Sequence, residues 1–243
     1  MTVTSLEYKL NFEKAEEKRA FPVIIVAAGS ASRMKGIDKL SLEIAGLPVL
    51  ARTVLAFDKC DRISKIIVVT REDKVSEYSA FKEKFAISKD YSVVVGGASR
   101  EESVFCGIKA LGDCDKVLVH DGARPIVGGE VIERVADALN THDSVTCGVK
   151  IVDTVKAVNE DNVVTKTLNR DFLYSVQTPQ GVSVESFKRS AAEFSLSRFT
   201  DDTSVVEAVG AKTVIVEGDH SNIKITTPTD IKIAEAYLTE ENL

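Results

Sequence analysis

The chain has 243 residues, of which 44% are apolar and 28% charged, with a net charge of −6. This is the composition of a globular protein large enough for one substantial α/β domain, and the acidic balance argues against general binding to nucleic acid or to an anionic membrane. No stretch reaches the roughly 20 apolar residues of a membrane span. The four cysteines, Cys60, Cys106, Cys114 and Cys147, form no CxxC pair and read as reduced cytoplasmic thiols.

Residues 1–20, MTVTSLEYKLNFEKAEEKRA, lack the apolar run of a secretory signal and carry too many glutamates for an organelle transit peptide. They read as an N-terminal extension, helical between Phe12 and Ala20, ahead of a domain over 21–243. Phe21 to Ala28 is an apolar run rich in β-branched residues, the pattern of a buried parallel strand. It breaks into Gly29-Ser30-Ala31-Ser32, small residues that let backbone N–H groups approach phosphate oxygens. Two cations, Arg33 and Lys39, follow. The turn is not a P-loop, since no Gly-Lys-Ser/Thr follows, and Ala31 stands where the dinucleotide fingerprint has its second glycine.

Helix-like and strand-like stretches then alternate: a helix over 49–57, a strand over 65–70, a helix over 74–85, a strand over 91–95, a helix over 101–111, a strand over 116–120, a helix over 130–139 and a strand over 144–149. This alternation predicts an α/β fold: a Rossmann-like, mostly parallel sheet with helices on both faces. In such sheets ligands bind beyond the carboxyl ends of the strands. The Gly29 loop, Gly96-Gly97 and Asp121-Gly122 each follow a strand directly, so three loops are expected on one rim. After Val149 the pattern changes. Stretches 154–158 and 163–168 flank Glu160-Asp161-Asn162, which predicts a β-hairpin protruding as an arm over about 150–172. The run Gln177-Thr178-Pro179-Gln180 reads as a polar loop. Helices over 184–194 and 203–209, a strand over 213–217 and a closing helix over 230–238 complete one domain with an arm.

Several runs could carry chemistry. Ser99 and Glu102 have capping-box spacing at the start of a helix. Asp121, a carboxylate at a strand end among cations, suits a metal or a substrate hydroxyl, and could equally cap a turn. Taken singly, Asp153-Thr154-Val155-Lys156, Arg170, the 177–180 run and Thr200-Asp201-Asp202 are polar loops. His120 and His142 stand too far from second ligands to suggest a metal cage, and His220 beside Asp219 reads as a solvated turn.

In order, however, these runs resemble the cytidylyltransferases that act on 2-C-methyl-D-erythritol 4-phosphate. The similarity lies in VAAGSASRM with Lys39 after it, GGASREESV at 96–104, HDGARP at 120–125, then Asp153-Thr154-Val155-Lys156, Arg170, Thr178-Pro179-Gln180, Thr200-Asp201-Asp202, and NIKITTPTD at 222–230. It runs from Phe21 to Leu238. It departs from the family pattern at Ala31 (usually glycine), at Gly122 (usually alanine), at Asp38 (usually proline), and in an Arg33–Lys39 interval one residue short. The resemblance implies transfer of a cytidylyl group from CTP to the sugar-alcohol phosphate. It implies catalytic roles for Arg33, Lys39, Arg170 and Lys224. It puts Ala27, Ala28, Gly29, Gly96, Gly97, Ser103, Asp121 and Gly122 at the nucleotide, with Arg100 supporting the loop. At the sugar phosphate it puts Asp121, Arg124, Thr154, Arg170, Thr178, Thr200 and Lys224, with Asn222 bracing the last loop and Thr229 or Asp230 capping the last helix. It implies Mg²⁺ held mainly by phosphate oxygens with Asp121 as the protein ligand, a homodimer through the arm with Arg170 reaching the neighbour's site, and a cytoplasmic protein with neither nucleic acid nor membrane as partner. Two other readings remain open on the residues: a ribitol 5-phosphate cytidylyltransferase, whose first loop more often reads AGG and whose fourth-strand motif reads HDAVRP, and a nucleotide-binding regulatory protein that has lost catalysis.

Overall fold

The structure, a computed structural model, describes residues 19–29 and 38–240. Its strands in chain order are β1 (Phe21–Val26), β2 (Glu43–Ile44), β3 (Leu47–Pro48), β4 (Ile63–Thr70), β5 (Asp90–Val95), β6 (Lys116–Asp121), β7 (Ser144–Lys150), β8 (Lys156–Val158), β9 (Val164–Thr167), β10 (Tyr174–Ser183) and β11 (Thr213–Glu217). The helices are α1 (Val49–Asp58), α2 (Val75–Ser79), α3 (Phe81–Lys84), α4 (Arg100–Ala110), α5 (Gly129–Thr141), α6 (Val184–Glu193), α7 (Asp202–Glu207) and α8 (Pro228–Glu240). Of the predicted extension over 1–20, residues 1–18 lie outside the described residues, as does the Arg33 loop.

Seven strands form one sheet in the order β11-β7-β10-β6-β1-β4-β5. β10 runs antiparallel to both its neighbours, and the other four pairings are parallel. The chain moves outward from β1 through β4 to β5, then crosses back to β6 on the other side of β1. The crevice at this reversal, beyond the carboxyl ends of β1 and β6, is where an open α/β sheet binds its ligand.

Alternation of side chains along β1 explains the two layers around the sheet. Phe21, Val23 and Ile25 pack into one apolar core with Leu50, Val54 and Phe57 of α1 and Val131, Val135 and Leu139 of α5. Ile24 points the other way, to Val104 and Ile108 of α4 and Phe187 of α6. All four β1 side chains are fully buried, as expected of a strand covered on both faces. A Cβ on Gly107 would stand 2.8 Å from Ile24 Cγ2, so α4 lies hard against β1 and its first residue, Arg100, is carried to the rim.

Three elements differ from the expectation. The single helix over 74–85 is a 3₁₀ turn followed by α2 and α3, divided at Ala80, where ψ is −14°; the rings of buried Tyr78 and Phe81 then meet at a tilt, 5.3 Å between centroids, on the core side. The loop read at 177–180 is the buried middle of β10. Its polar side chains hide the strand signal, and Pro179 sits where the ladder to β7 shifts register between Gln177 and Gln180, so no ladder N–H is missed. Between β2 and β3, Ala45 and Gly46 both have positive φ (46° and 79°), the two-residue hairpin turn.

The expected hairpin is present. β8 and β9 pair antiparallel in a sheet of their own, with Asn162 turning at φ 60°. Every residue of β9 is exposed. No described helix is long and apolar enough to cross a membrane.

Candidate active site

The three expected loops do meet at the rim, and hydrogen bonds pin each to the sheet. Ala27 N–H donates to Val69 O at 2.7 Å, Gly96 N–H to Thr70 O at 2.8 Å, and Gly122 N–H to Val26 O at 2.9 Å. The glycines after β5 are set by close approach. A Cβ on Gly96 would fall 2.7 Å from Ser103 Oγ, and one on Gly97 2.5 Å from Glu102 Cβ. The capping box is present: Ser99 accepts from Glu102 N–H while Glu102 reaches back. Gly97 N–H donates to Ser103 Oγ (3.1 Å), and the Ser103 hydroxyl donates to Ser99 O (2.8 Å).

These loops enclose a cavity of about 400 Å³, lined by Ala27, Ala28, Gly29, Lys39, Gly97, Arg100, Asp121 and Lys224 among others. A second cavity of about 380 Å³ is lined by Arg124, Thr178, Gln180 and Thr200. Arg100, Asp121 and Lys224 line both and form the wall between them. Lys39 reaches this wall by donating to Ile225 O at 3.0 Å. Asp38, which replaces the usual proline, fixes the approach: its Oδ1 accepts from Leu40 N–H (3.1 Å) and its Oδ2 lies 3.3 Å from Lys74 Nζ.

Asp121 is the centre of the wall. Its Oδ1 accepts from Arg100 Nε at 3.1 Å and its Oδ2 from Lys224 Nζ at 2.8 Å. Arg124 Nε stands 3.6 Å from Oδ2, buried and with no hydrogen-bond partner. Burial alone would raise this carboxyl; Arg100, Lys224 and Arg124 together hold it well below the usual carboxylate range. Arg100 is also forked on Asp202, Nη1 to Oδ1 at 2.9 Å and Nη2 to Oδ2 at 2.8 Å. Burial works against the guanidinium charge, but Asp202 and Asp121 more than offset it and raise its pKa.

Beneath the wall lies a neutral relay. His120 is fully buried, and burial depresses its imidazolium pKa to about 3. Its Nε2 stands 3.2 Å from Arg124 O, so the proton of the neutral ring is there and Nδ1 is a bare acceptor. The Thr178 hydroxyl therefore donates to Nδ1 (3.0 Å) and accepts from Asp121 N–H (3.1 Å). β10 holds two further loops. Gln177 Nε2 donates to Asp219 O (2.7 Å), and Asn222 Nδ2 donates to Thr178 O (2.8 Å), which fixes the loop leading to Lys224. Gln180 Nε2 donates to Asp201 Oδ2 and its Oε1 accepts from Asp202 N–H, which fixes the start of α7.

Of the nucleotide candidates, Ala27, Ala28, Gly29, Gly97 and Asp121 line the first cavity. Gly96 and Gly122 do not line it, and Ser103 is buried with its hydroxyl proton already committed. Of the sugar-phosphate candidates, Asp121, Arg124, Thr178, Thr200 and Lys224 line the second cavity. Thr178 has its one proton on His120, so toward that cavity it offers an acceptor and not a donor. Thr154 and Arg170 line neither cavity: both are exposed on the arm, where Arg170 donates to Val152 O. Arg33 lies outside the described residues. Asp230 caps α8, accepting from Thr226 and Thr227 N–H at 2.7 Å each. Sequence reasoning passed over His120, Gln177, Gln180 and Asp202. The last had one signal, a second aspartate in Thr200-Asp201-Asp202, one more than a helix cap needs.

No cluster of three metal-ligating side chains occurs among the described residues. As a metal site the wall supplies one carboxylate, both of whose oxygens already accept from cations. That donor set does not make a protein cage. It fits an ion brought in on ligand phosphates, with Asp121 as a single protein ligand.

Comparison with known proteins gives a consistent answer. Residues 21–240 match the family described as 2-C-methyl-D-erythritol 4-phosphate cytidylyltransferase. The protein of that name from Caldanaerobacter subterraneus is 41% identical over 223 residues, 88% of this chain and 97% of that one. The one from Bacillus mycoides is 39% identical over 221 residues, 90% and 97% respectively. A crystal structure of 4-diphosphocytidyl-2C-methyl-D-erythritol synthase from Anaerococcus prevotii aligns at a TM-score of 0.79 and 35% identity, covering 91% of this chain and 97% of that one. The 2-C-methyl-D-erythritol 4-phosphate cytidylyltransferase of Thermus thermophilus aligns at a TM-score of 0.72 and 27% identity, covering 90% and 99%.

Proposed function

The chain belongs to the 2-C-methyl-D-erythritol 4-phosphate cytidylyltransferase family, and on that premise we propose which of its residues carry the reaction. The enzyme transfers a cytidylyl group from CTP to 2-C-methyl-D-erythritol 4-phosphate, giving 4-diphosphocytidyl-2-C-methyl-D-erythritol and pyrophosphate in non-mevalonate isoprenoid synthesis. The observation that carries the assignment of residues is the shared wall: two cavities, one for each substrate, meet at Arg100, Asp121 and Lys224.

The nucleotide occupies the cavity under the Gly29 and Gly97 loops, and the sugar phosphate the cavity bounded by Arg124, Thr178 and Thr200. The substrate phosphate attacks the α-phosphorus of CTP, forming a new P–O bond as the bond to pyrophosphate breaks. A phosphate monoester is already ionised near neutral pH, so no general base is needed, and rate comes from positioning and charge neutralisation. Lys39 and Lys224 supply cations to the triphosphate side, and Arg33, by its motif, a third. Lys224, on the wall, faces both phosphates. Thr178, with only an acceptor to offer, takes a substrate hydroxyl more readily than a phosphate oxygen. Mg²⁺ entering on the triphosphate would neutralise its oxygens, with Asp121 as its protein ligand.

The same proposal makes the enzyme a homodimer in which the arm carries Thr154 and Arg170 to the neighbour's second cavity. Support comes from the arm itself: a two-stranded hairpin is marginal alone, and Val152 and Phe172 are 69% and 82% exposed within one chain. Twofold pairing is the commonest way to cover such a surface. Residues 21–243 act as one cytidylyltransferase domain, in the cytoplasm, where the four free thiols would stay reduced. The test is pyrophosphate release from CTP with methylerythritol phosphate, ribitol 5-phosphate, or ATP in place of CTP. Turnover only with the first pair and a divalent cation is expected; a preference for ribitol 5-phosphate or for ATP rejects the assignment.

A further inference from the structure

One strong contact at the site has no task in the reaction as described. Asp202 is fully buried and lines neither cavity. Both of its oxygens are engaged by the Arg100 fork. Arg100 itself lines both cavities, a place where an arginine would ordinarily bind phosphate. Here its two terminal nitrogens face Asp202 and its Nε faces Asp121 Oδ1 at 3.1 Å. Glu101 Oε1, 4.0 Å from Nη1, is the next carboxylate oxygen. The guanidinium is thus committed to protein carboxylates on two sides.

Asp202 is immobile for its own reasons. It opens α7, its N–H donates to Gln180 Oε1 at 2.9 Å, and Asp201 beside it caps the helix by accepting from Ser204 N–H at 3.0 Å. A fork fixed at its far end fixes Nε at the near end. Nε then holds Oδ1 of Asp121, which leaves Oδ2 turned to Lys224 Nζ at 2.8 Å. The charges alternate along one line: Asp202, Arg100, Asp121, Lys224.

We propose that Asp202 is a positioning residue: through Arg100 it fixes the Asp121 carboxylate, and with it the Lys224 ammonium, on the wall between the two substrates, and it withholds Arg100 from the ligand phosphates. This rests on the cytidylyl-transfer reading above. It predicts a pattern that a merely structural aspartate would not give. Without the carboxylate, Arg100 is free to turn to the triphosphate, so CTP binding holds or tightens while turnover falls.

The experiment is a double-mutant cycle on the full chain: Asp202→Asn, Arg100→Met and the double variant, assayed by pyrophosphate release with both substrates varied. In Asp202→Asn, kcat should fall by about tenfold or more with the KM for CTP unchanged or lower. The double variant should match Arg100→Met within about twofold, because the Asp202 effect travels through Arg100. A kcat loss under about threefold, a raised KM for CTP, or a double variant worse than Arg100→Met by more than that factor overturns the proposal. If Asp202→Asn does not fold, Asp202→Leu in the Arg100→Met background removes both buried charges and takes its place. The same comparison with Arg100→Met then decides. A wild-type enzyme that fails to turn over CTP rejects the reaction itself; an active wild type with multiplicative losses rejects only the role of Asp202.

Discussion

The rim and the arm of this enzyme handle polar and apolar groups in opposite ways. At the rim, charged and polar side chains are buried or half-buried and answer one another inside the chain: Asp121 with Arg100 and Lys224, Arg100 with Asp202, Thr178 with His120. On the arm, apolar side chains stand in solvent, Phe172 most of all, and the cation expected at the sugar phosphate, Arg170, bonds only the backbone of Val152 among the described residues. A group of charges satisfied within one chain can be pre-set before substrate arrives, so rim residues should act on their own active site. In the proposed homodimer the second chain covers the apolar arm, so arm residues should act on the neighbour's.

The largest expected effect breaks the rim. Lys224→Met removes the ammonium that Asp121 holds on the wall, and a preorganised donor to developing charge is worth about 10²–10³ in kcat. Steady-state pyrophosphate release measures it; near-normal kcat would move that role to Lys39 or Arg33. The comparison sharpens when Lys224→Met subunits are mixed with Arg170→Ala subunits after dissociation. If Lys224 acts in its own chain and Arg170 in the neighbour's, each mixed dimer holds one doubly defective site and one intact site. With random pairing, activity returns to about a quarter of wild type. If both act within one chain, mixing restores nothing.

A smaller effect tests the arm alone. Phe172→Ser removes an aromatic side chain whose burial is worth about 1.5–3 kcal/mol per copy. The dissociation constant of the proposed dimer, followed by sedimentation, should rise by at least about tenfold, with the far-UV spectrum unchanged. No change in that constant would place Phe172 outside any interface.

The same contrast explains what could be read from the sequence. Strands with apolar side chains on both faces, such as Phe21–Val26 and Ile63–Thr70, announce themselves because burial selects one residue class. The loops at Gly29, Gly97 and Asp121 were legible because each follows such a strand. β10 was not. Its buried middle is Gln177, Thr178, Pro179 and Gln180, chosen for the loops they tie down and not for water avoidance. Periodicity arguments see polarity and return a loop. Asp202 was hidden for a related reason: its partner, Arg100, lies 102 residues earlier, and locally only the doubled aspartate of Thr200-Asp201-Asp202 set it apart from a helix cap. The role of Thr178 needed the tautomer of His120, which only the Arg124 carbonyl settles.

The smallest effect comes from that histidine and concerns stability. His120 is neutral in the folded rim, its pKa held near 3 by burial against an ordinary value of 6.5. Above pH 6.5 neither the folded nor the unfolded chain carries the proton, and the group has no bearing on stability. As pH falls below 6.5 the unfolded chain binds a proton that the folded one refuses, so unfolding gains about 1.4 kcal/mol for each further pH unit, until the folded pKa is reached. Asp121 acts in the same direction but only at lower pH: its stabilisation is complete above the ordinary carboxyl range and is lost as pH falls below it. Between pH 6 and pH 4 the slope therefore belongs mainly to His120. Urea unfolding across that range should show it in the wild type, and His120→Gln, which cannot titrate, should flatten the curve by about 1.4 kcal/mol per unit while starting from a lower stability at pH 7. A variant curve parallel to the wild type would mean that the ring takes up its proton in the folded state. The Thr178 hydroxyl would then lose its acceptor, and with it the fixed orientation that the rim, unlike the arm, builds within one chain.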